Sequence, residues 1–189
     1  MNYFIADLHF GHQNALSFDN RPFKTIEEHD STLITNWNNT VGLDDDIYVL
    51  GDISWHNATK TISIFKQLNG RKHLIIGNHD HKLLKNRELQ QEFVEIASYK
   101  ELAIGNGNIC VLSHYPIPCF NRHYYGAYHL YGHVHISFEW MIMKRIKYEM
   151  EELYIKPCNM YNVGCMVDYM DYKPRTLEEI IAMNQNMNH

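Results

Sequence analysis

The feature that constrains this chain most is a short apolar run that recurs five times and ends each time at polar, metal-binding residue types. Runs of four or five residues rich in Ile, Val, Leu and Tyr are typical of buried strands. They occupy 3–6, 47–50, 73–76, 109–113 and 128–131. Ligands of α/β sheets bind beyond the carboxyl ends of the strands. The five polar clusters are therefore predicted to converge on one site.

Helical patterns lie between and after these runs. They follow the capping box of Thr25 and Glu28, cover 58–68 and 82–92, and follow the capping box of Thr176 and Glu179. Strands that alternate with helices predict an α/β layered fold. At 189 residues, we expect a single domain over 1–189.

One segment, 137–156, has a pattern that fits either an amphipathic helix or a hairpin. It contains Trp140, Met141, Met143 and Met150. These side chains either pack against the protein surface or, if exposed together, form an oligomer contact.

The bulk composition limits location and partners. The start of the sequence lacks the basic and apolar regions of a signal peptide, and no apolar run has the length of a membrane span. We expect a cytoplasmic protein without a membrane partner. The formal net charge of −5 argues against a bare nucleic-acid-binding module. A nucleotide or nucleic-acid substrate stays possible, because bound metal ions would reverse the charge locally.

The polar clusters supply a mixed set of oxygen and nitrogen donors. The set is Asp7, His9, Asp52, Asn78, His114, His133 and His135. Such a set suits two divalent transition-metal ions, with manganese first and iron, zinc or nickel as alternatives. Seven donors are too many for one catalytic ion with an open position, whereas two ions sharing a bridging carboxylate would use them all.

Local spacing is consistent with this prediction. Asp7 and His9 share one face if their strand continues through Leu8, and the same holds for His133 and His135. A glycine precedes three of the clusters, where it allows a sharp turn or a close approach. Asp-x-His is common by chance and Gly-Asp alone is often only a turn, whereas Gly-Asn-His-Asp and Gly-His-x-His are more specific. A structural or surface histidine is the alternative for each histidine, but all five motifs in order favour a metal site.

The ordered motifs Asp7-x-His9, Gly51-Asp52, Gly77-Asn78-His79-Asp80, His114 and Gly132-His133-x-His135 resemble the calcineurin-like metallophosphoesterase superfamily. The resemblance covers 3 to about 135, and 162–165 is similar to its closing strand. The stretch 7–12 with Arg21-Pro22-Phe23 resembles compact prokaryotic and phage members. The resemblance implies a four-layer αββα sandwich of two facing mixed sheets flanked by helices. It also implies hydrolysis of phosphate mono- or diesters.

The same resemblance implies a role for each donor. One metal ion would take Asp7, His9, Asp52 and His135, and the other would take Asp52, Asn78, His114 and His133. Asp52 would bridge the ions, and a bridging hydroxide would attack phosphorus directly. His79 would be the catalytic general acid or charge stabiliser, not a ligand, and imidazole suits either role.

The second motif departs from the protein serine/threonine phosphatase branch. In Gly51-Asp52-Ile53-Ser54-Trp55-His56 the acidic partner and arginine of that branch are missing, which argues against phosphoprotein substrates. Arg21 and Arg122 are candidate substrate contacts, with a surface arginine as the alternative. His12 is a further candidate that either faces the substrate or supports the first ligands, with a helix-start or surface histidine as the alternative. Asp80 either orients His79 or is a turn residue. A metal-dependent nuclease and a non-catalytic interaction scaffold are the rival functions.

Overall fold

Two four-stranded sheets form the centre of the protein, and the computed structural model describes residues 1–186. The first sheet has the order β1-β2-β3-β4 and is parallel throughout. Its strands are β1 (Asn2–Ile5), β2 (Asp46–Val49), β3 (Arg71–Ile75) and β4 (Glu95–Ala97). The second sheet has the order β5-β6-β7-β8 and is mixed, since only β5 runs antiparallel to its neighbour. Its strands are β5 (Tyr99–Gly105), β6 (Asn108–Ser113), β7 (Tyr128–Tyr131) and β8 (Met160–Asn162).

Six α-helices accompany the sheets within the described residues. They are α1 (Ala15–Phe18), α2 (Ile26–Thr40), α3 (Ala58–Phe65), α4 (Arg87–Gln90), α5 (Phe138–Tyr154) and α6 (Leu177–Asn186). Both predicted N-cap bonds form, and the box closes at Thr176, whose N–H donates to Glu179 Oε2 at 2.9 Å, whereas Glu28 Oε2 accepts from the Lys24 N–H. The Glu28 N–H donates to Thr25 Oγ1 at 3.2 Å, and the Glu179 N–H donates to Thr176 Oγ1 at 3.3 Å. These caps satisfy amide groups that the first helical turn leaves without partners.

The two faces of the second sheet pack against different layers. Leu112 and Leu130 belong to the large core shared with the first sheet and α2, whereas Val111 and Tyr131 belong to a second core under α5. Neighbouring residues point to opposite faces of a strand, so each strand contributes to both cores. This arrangement confirms the predicted sandwich of two sheets flanked by helices.

Aligned strand ends bring the polar clusters together. In the first sheet Ile5 is in register with Val49, which is in register with Leu74. A parallel bridge between Ala6 and Gly164 joins this sheet to the segment after β8. The carboxyl ends of both sheets therefore meet at one edge, as the sequence predicted.

Two helical predictions are settled by the structure. The single helix predicted over 82–92 is wrong, because the backbone is extended at Asn86 (φ −86°, ψ 116°), between a 3₁₀ turn and α4. Asn86 instead caps α4 through its side chain, accepting from the Leu89 N–H. The segment 137–156 is the helix α5 and not a hairpin. Met150 is buried there while Met141 is 61% exposed, so an oligomer contact through this segment stays a prediction.

No helix among residues 1–186 combines the length and apolar character needed to cross a membrane.

Candidate metal centre

The first predicted donor group is assembled in the structure. Asp7, His9, Asp52 and His135 each offer a ligand atom, and these atoms all lie within 4.8 Å of one another. Asp7, His9 and Asp52 are buried, and His135 is half-buried. Two buried carboxylates this close require a positive counter-charge, which makes the group able to hold a metal ion.

The second predicted group lies on the other side of Asp52. Asn78 Oδ1 is 2.9 Å from His114 Nε2 and 3.0 Å from His133 Nδ1. Asp52 Oδ1 is 3.7 Å from His114 Nε2, while Asp52 Oδ2 is 3.7 Å from His9 Nε2. The two oxygens of one carboxylate therefore face the two donor groups separately.

The donors sit on unusual backbone. Five of the seven have positive φ, between 46° and 70°, namely Asp7, His9, Asp52, His133 and His135. The prediction that Asp7 and His9 share a face by strand alternation is wrong, because β1 ends at Ile5. Left-handed residues instead turn these side chains into the site. Such strained conformations cost roughly 1–3 kcal/mol each and cluster at functional sites.

Glycines allow the donor loops to approach closely, as predicted. Gly51 has φ +85°, and a Cβ there would lie 2.5 Å from His114 Nδ1. A Cβ on Gly132 would lie 2.6 Å from Asp7 Oδ2. A side chain at either position would displace a candidate ligand.

Hydrogen bonds to the far ring nitrogen orient several histidines. His114 Nδ1 lies 2.7 Å from the Leu50 carbonyl oxygen, which can only accept, so Nε2 keeps its lone pair toward Asn78 and Asp52.

His9 Nε2 is buried and has no hydrogen-bond partner among the described residues. A buried nitrogen without a partner is costly, and a metal ion would satisfy it. The donor set therefore fits a metal ion.

The pKa shifts of the buried donors also favour a bound metal ion. Burial raises the pKa of the Asp7 and Asp52 carboxyl groups, and nearby His135 and His114, respectively, only partly offset this. Burial also holds the pKa of His9 well below its ordinary value, which keeps the imidazole neutral and able to ligate.

These shifts predict how the metal-free protein responds to pH. A carboxyl group with a raised native pKa binds more protons in the folded than in the unfolded state. Its contribution to stability is therefore fully present below pH 3.8, the ordinary pKa of the carboxyl group, and is lost as the pH rises through the raised native pKa. Manganese at about 100 times its dissociation constant should stabilise the fold by about 2.7 kcal/mol, or roughly 5–10 °C. Thermal unfolding with manganese and with EDTA, from pH 5 to 8, measures both effects. A melting temperature that manganese does not raise at pH 8 would contradict a metal centre here.

A buried ion pair behind the site was not predicted. His135 Nδ1 lies 2.9 Å from the Asp19 carboxylate, which also accepts from Arg21 Nε at 3.0 Å and Nη2 at 2.8 Å. Arg21 also donates to the carbonyl oxygens of Asp7 and Leu8. Arg21 is 4% exposed, so this guanidinium supports the donor loops and does not face a substrate. A carboxylate behind a ligating histidine fixes its tautomer and strengthens its basicity.

Asp19→Asn should therefore lower metal affinity by roughly 10–100-fold, the range for partners behind ligating histidines. Manganese titration at a temperature where circular dichroism shows the variant folded is the measurement. Asp171→Asn is the matched control, since Asp171 is exposed and its carboxylate pairs with Lys173. Equal affinities for the two variants would remove Asp19 from the site.

The remaining candidates occupy different places. His79 is exposed, and its ring lies 4.3 Å from the Trp55 ring. Its backbone N–H donates to Asp52 Oδ1 at 3.0 Å. His12 Nδ1 lies 3.0 Å from His9 Nδ1, at the edge of the site. Arg122 is exposed at the start of a 3₁₀ turn after β6, and its role as a substrate contact stays a prediction.

Asp80 matches the alternative of a loop residue. Its buried carboxylate accepts from the N–H groups of Asp52, Ile53 and Gly77, at 2.8–3.0 Å. These bonds tie the loop after β2 to the loop after β3. Asp80 therefore fixes the backbone from which the Asp52 carboxylate projects.

Comparison with solved structures supports the fold. A protein of unknown function from Aquifex aeolicus, AQ665, superposes with a TM-score of 0.71 at 29% identity, over 97% of this chain and 98% of that chain. Nuclease MPE from Pseudomonas putida is only weakly similar, with a TM-score of 0.42 at 20% identity, over 71% of this chain and 60% of that chain.

No family model matches this chain. Comparison with individual protein sequences does find relatives. The Gene 66 protein of Mycobacterium phage L5 is 34% identical over 130 residues, which are 60% of this chain and 62% of that protein. The uncharacterized protein MJ1445 of Methanocaldococcus jannaschii is 31% identical over 184 residues, which are 96% of this chain and 89% of that protein. At that identity and coverage, this chain belongs to the same family as MJ1445.

Proposed function

We propose that the protein is a phosphoesterase that uses two divalent transition-metal ions, manganese first, to hydrolyse phosphate mono- or diesters. The observation that carries this proposal is Asp52, whose two carboxylate oxygens face two separate donor groups. Asp7, His9 and His135 would complete one metal site. Asn78, His114 and His133 would complete the other.

The ions, when bound, would polarise the phosphoryl group and make water a stronger nucleophile at neutral pH. Hydrogen bonds within the chain position the candidate donors. Asp7 accepts from the His133 N–H at 3.0 Å, and Asp80 fixes the loop of Asp52. Rigid, preorganised charge of this kind is the usual source of phosphoryl-transfer catalysis.

His79 would serve the leaving group. Its ring is exposed beside the donor groups, and its backbone N–H is anchored to the carboxylate of Asp52. An imidazole in this position can donate a proton to the departing alcohol oxygen. The pairing of a full donor set with such a histidine favours an enzyme over a non-catalytic scaffold.

The test is a panel of phosphate mono- and diesters, with manganese, nickel, zinc or magnesium added to metal-free protein. We expect hydrolysis that depends on the protein, peaks with a transition metal and disappears with EDTA. Single-stranded oligonucleotides in the same panel test the nuclease rival. A protein that binds its metal ions but hydrolyses none of these esters would be a scaffold, which would overturn the proposal.

A further inference from the structure

Exposed apolar side chains are concentrated on α5 and just after it. Seven of the 17 exposed large hydrophobic residues in the described part of the chain lie within 138–155, and the most exposed of them are Phe138, Leu153 and Ile155. Single exposed apolar residues are normal on a protein surface, whereas a contiguous apolar patch marks an interaction site. This concentration makes α5 a candidate interaction surface.

One face of α5 carries the patch. Residues three or four positions apart share a face of a helix. Phe138, Met141, Ile142 and Tyr148 follow that spacing and are exposed. The opposite face holds the helix on the protein, because it packs against the second core through Trp140, Met143, Ile146 and Met150. The exposed face is therefore open to a partner.

The residue that follows α5 has a strained backbone. Ile155 has φ 52° and ψ 39°, the left-handed conformation in which helices usually end on glycine. A β-branched residue rarely adopts it. The Ile155 side chain is 91% exposed, so packing within the chain does not hold it there. Strained conformations of this kind cluster at functional sites, and contact with a partner is a function that an exposed isoleucine can serve.

The order of the exposed charges along this segment indicates the partner. Six charged side chains are exposed, namely acidic Glu139, basic Lys144 and Arg145, acidic Glu149 and Glu152, and basic Lys156. Read in the reverse direction, this order has the opposite sign at each step. Two copies of the helix packed antiparallel would therefore bring opposite charges together, whereas a parallel pair would bring like charges together.

We propose that α5 and the residues just after it form the interface of a homodimer, with two copies of the helix packed antiparallel about a twofold axis. In such an interface one patch meets the same patch of the second copy. The charge order reverses between 147 and 148, and this register places Ile142 near the partner's Leu153. Arg145 and Glu149 also pair within one helix at 2.9 Å, but both are exposed, so water screens that pair and both can reach charges across the interface.

Sedimentation equilibrium of the full chain tests the dimer. As protein concentration rises, we expect the mass to approach twice the 22.4 kDa of one chain. Leu153→Glu should weaken dimerisation by at least roughly 30-fold, the loss typical of a hot-spot residue, because it places a charge in the apolar contact. Leu43→Glu is the matched control, since Leu43 is 76% exposed and Leu153 is 78% exposed, and Leu43 lies in the turn before β2. Circular dichroism checks that both variants fold.

Charge reversal tests the direction of packing. The double variant Lys144→Glu with Arg145→Glu should dimerise more weakly, because its new acidic side chains would meet the partner's Glu149 and the partner's Glu152. The double variant Glu149→Lys with Glu152→Lys should behave in the same way. A mixture of the two double variants should restore pairing between unlike copies.

Three outcomes would overturn the proposal. A monomer at every concentration would mean that the patch does not bind a second copy. No greater weakening by Leu153→Glu than by Leu43→Glu would place the interface elsewhere. Unchanged dimerisation of both charge-reversed variants would contradict the antiparallel arrangement. The inference is independent of the proposed function, which metal content and ester hydrolysis test separately.

Discussion

Among single substitutions of the candidate donors, Asp52→Asn is expected to cause the largest loss of activity and of bound metal. The variant should lose at least about 10³-fold in kcat and part of its bound metal, because metal-ion stabilisation of the reacting phosphoryl group is worth several kcal/mol. The physical reason is that both Asp52 oxygens face donor groups, and the carboxylate charge offsets the repulsion between two cations. His9→Ala should be milder, since His9 faces only one group.

Metal content and turnover measured on the same samples decide this comparison. Asp44→Asn controls for loss of a carboxylate, because Asp44 is exposed and precedes β2, whereas Asp52 follows the opposite end of that strand. Full metal content and near-normal turnover in Asp52→Asn would show that Asp52 does not bridge two sites.

His79→Ala is expected to have the second-largest effect, with a different signature. It should leave metal content unchanged and lower kcat by roughly 10²–10⁴-fold, the usual contribution of a general acid–base residue. The loss should be greater for alkyl esters than for nitrophenyl esters, whose leaving oxygen needs little protonation.

Two other results of that experiment would contradict this role. Loss of one ion together with activity would make His79 a ligand. Unchanged turnover would make it an ordinary loop residue. The neighbouring exposed histidine, changed as His81→Ala, gives the comparison, and we expect its effect on kcat to be small.

The sequence predicted the strands that are continuous apolar runs, because nearly all of their side chains are buried. The run at 47–50 is almost wholly buried in the structure, and such apolar runs leave little choice but an internal strand. β5 was not predicted, because its residues alternate between exposed and half-buried and include Lys100 and Glu101. β4 has only three residues, all half-buried, and gives almost no periodic signal.

The candidate site was predictable in membership but not in geometry. Residue type and order selected seven candidate donors, and the structure places these side chains close together. Nothing in the sequence indicates that Asp7 or His133 has a left-handed backbone, because neither is glycine. Asp19 lies 116 residues from His135 along the chain, so their contact exists only in the fold. Arg21 was misjudged for the same reason, since burial and its carboxylate partner decide what a guanidinium does.

The most direct test of the two-metal account is a manganese titration of the metal-free protein. Bound ions per chain are counted by elemental analysis, and ester hydrolysis is measured on the same samples. The account predicts saturation close to two ions per chain, with turnover rising as the second ion binds. Saturation at one ion or none, or full activity in EDTA, would contradict it.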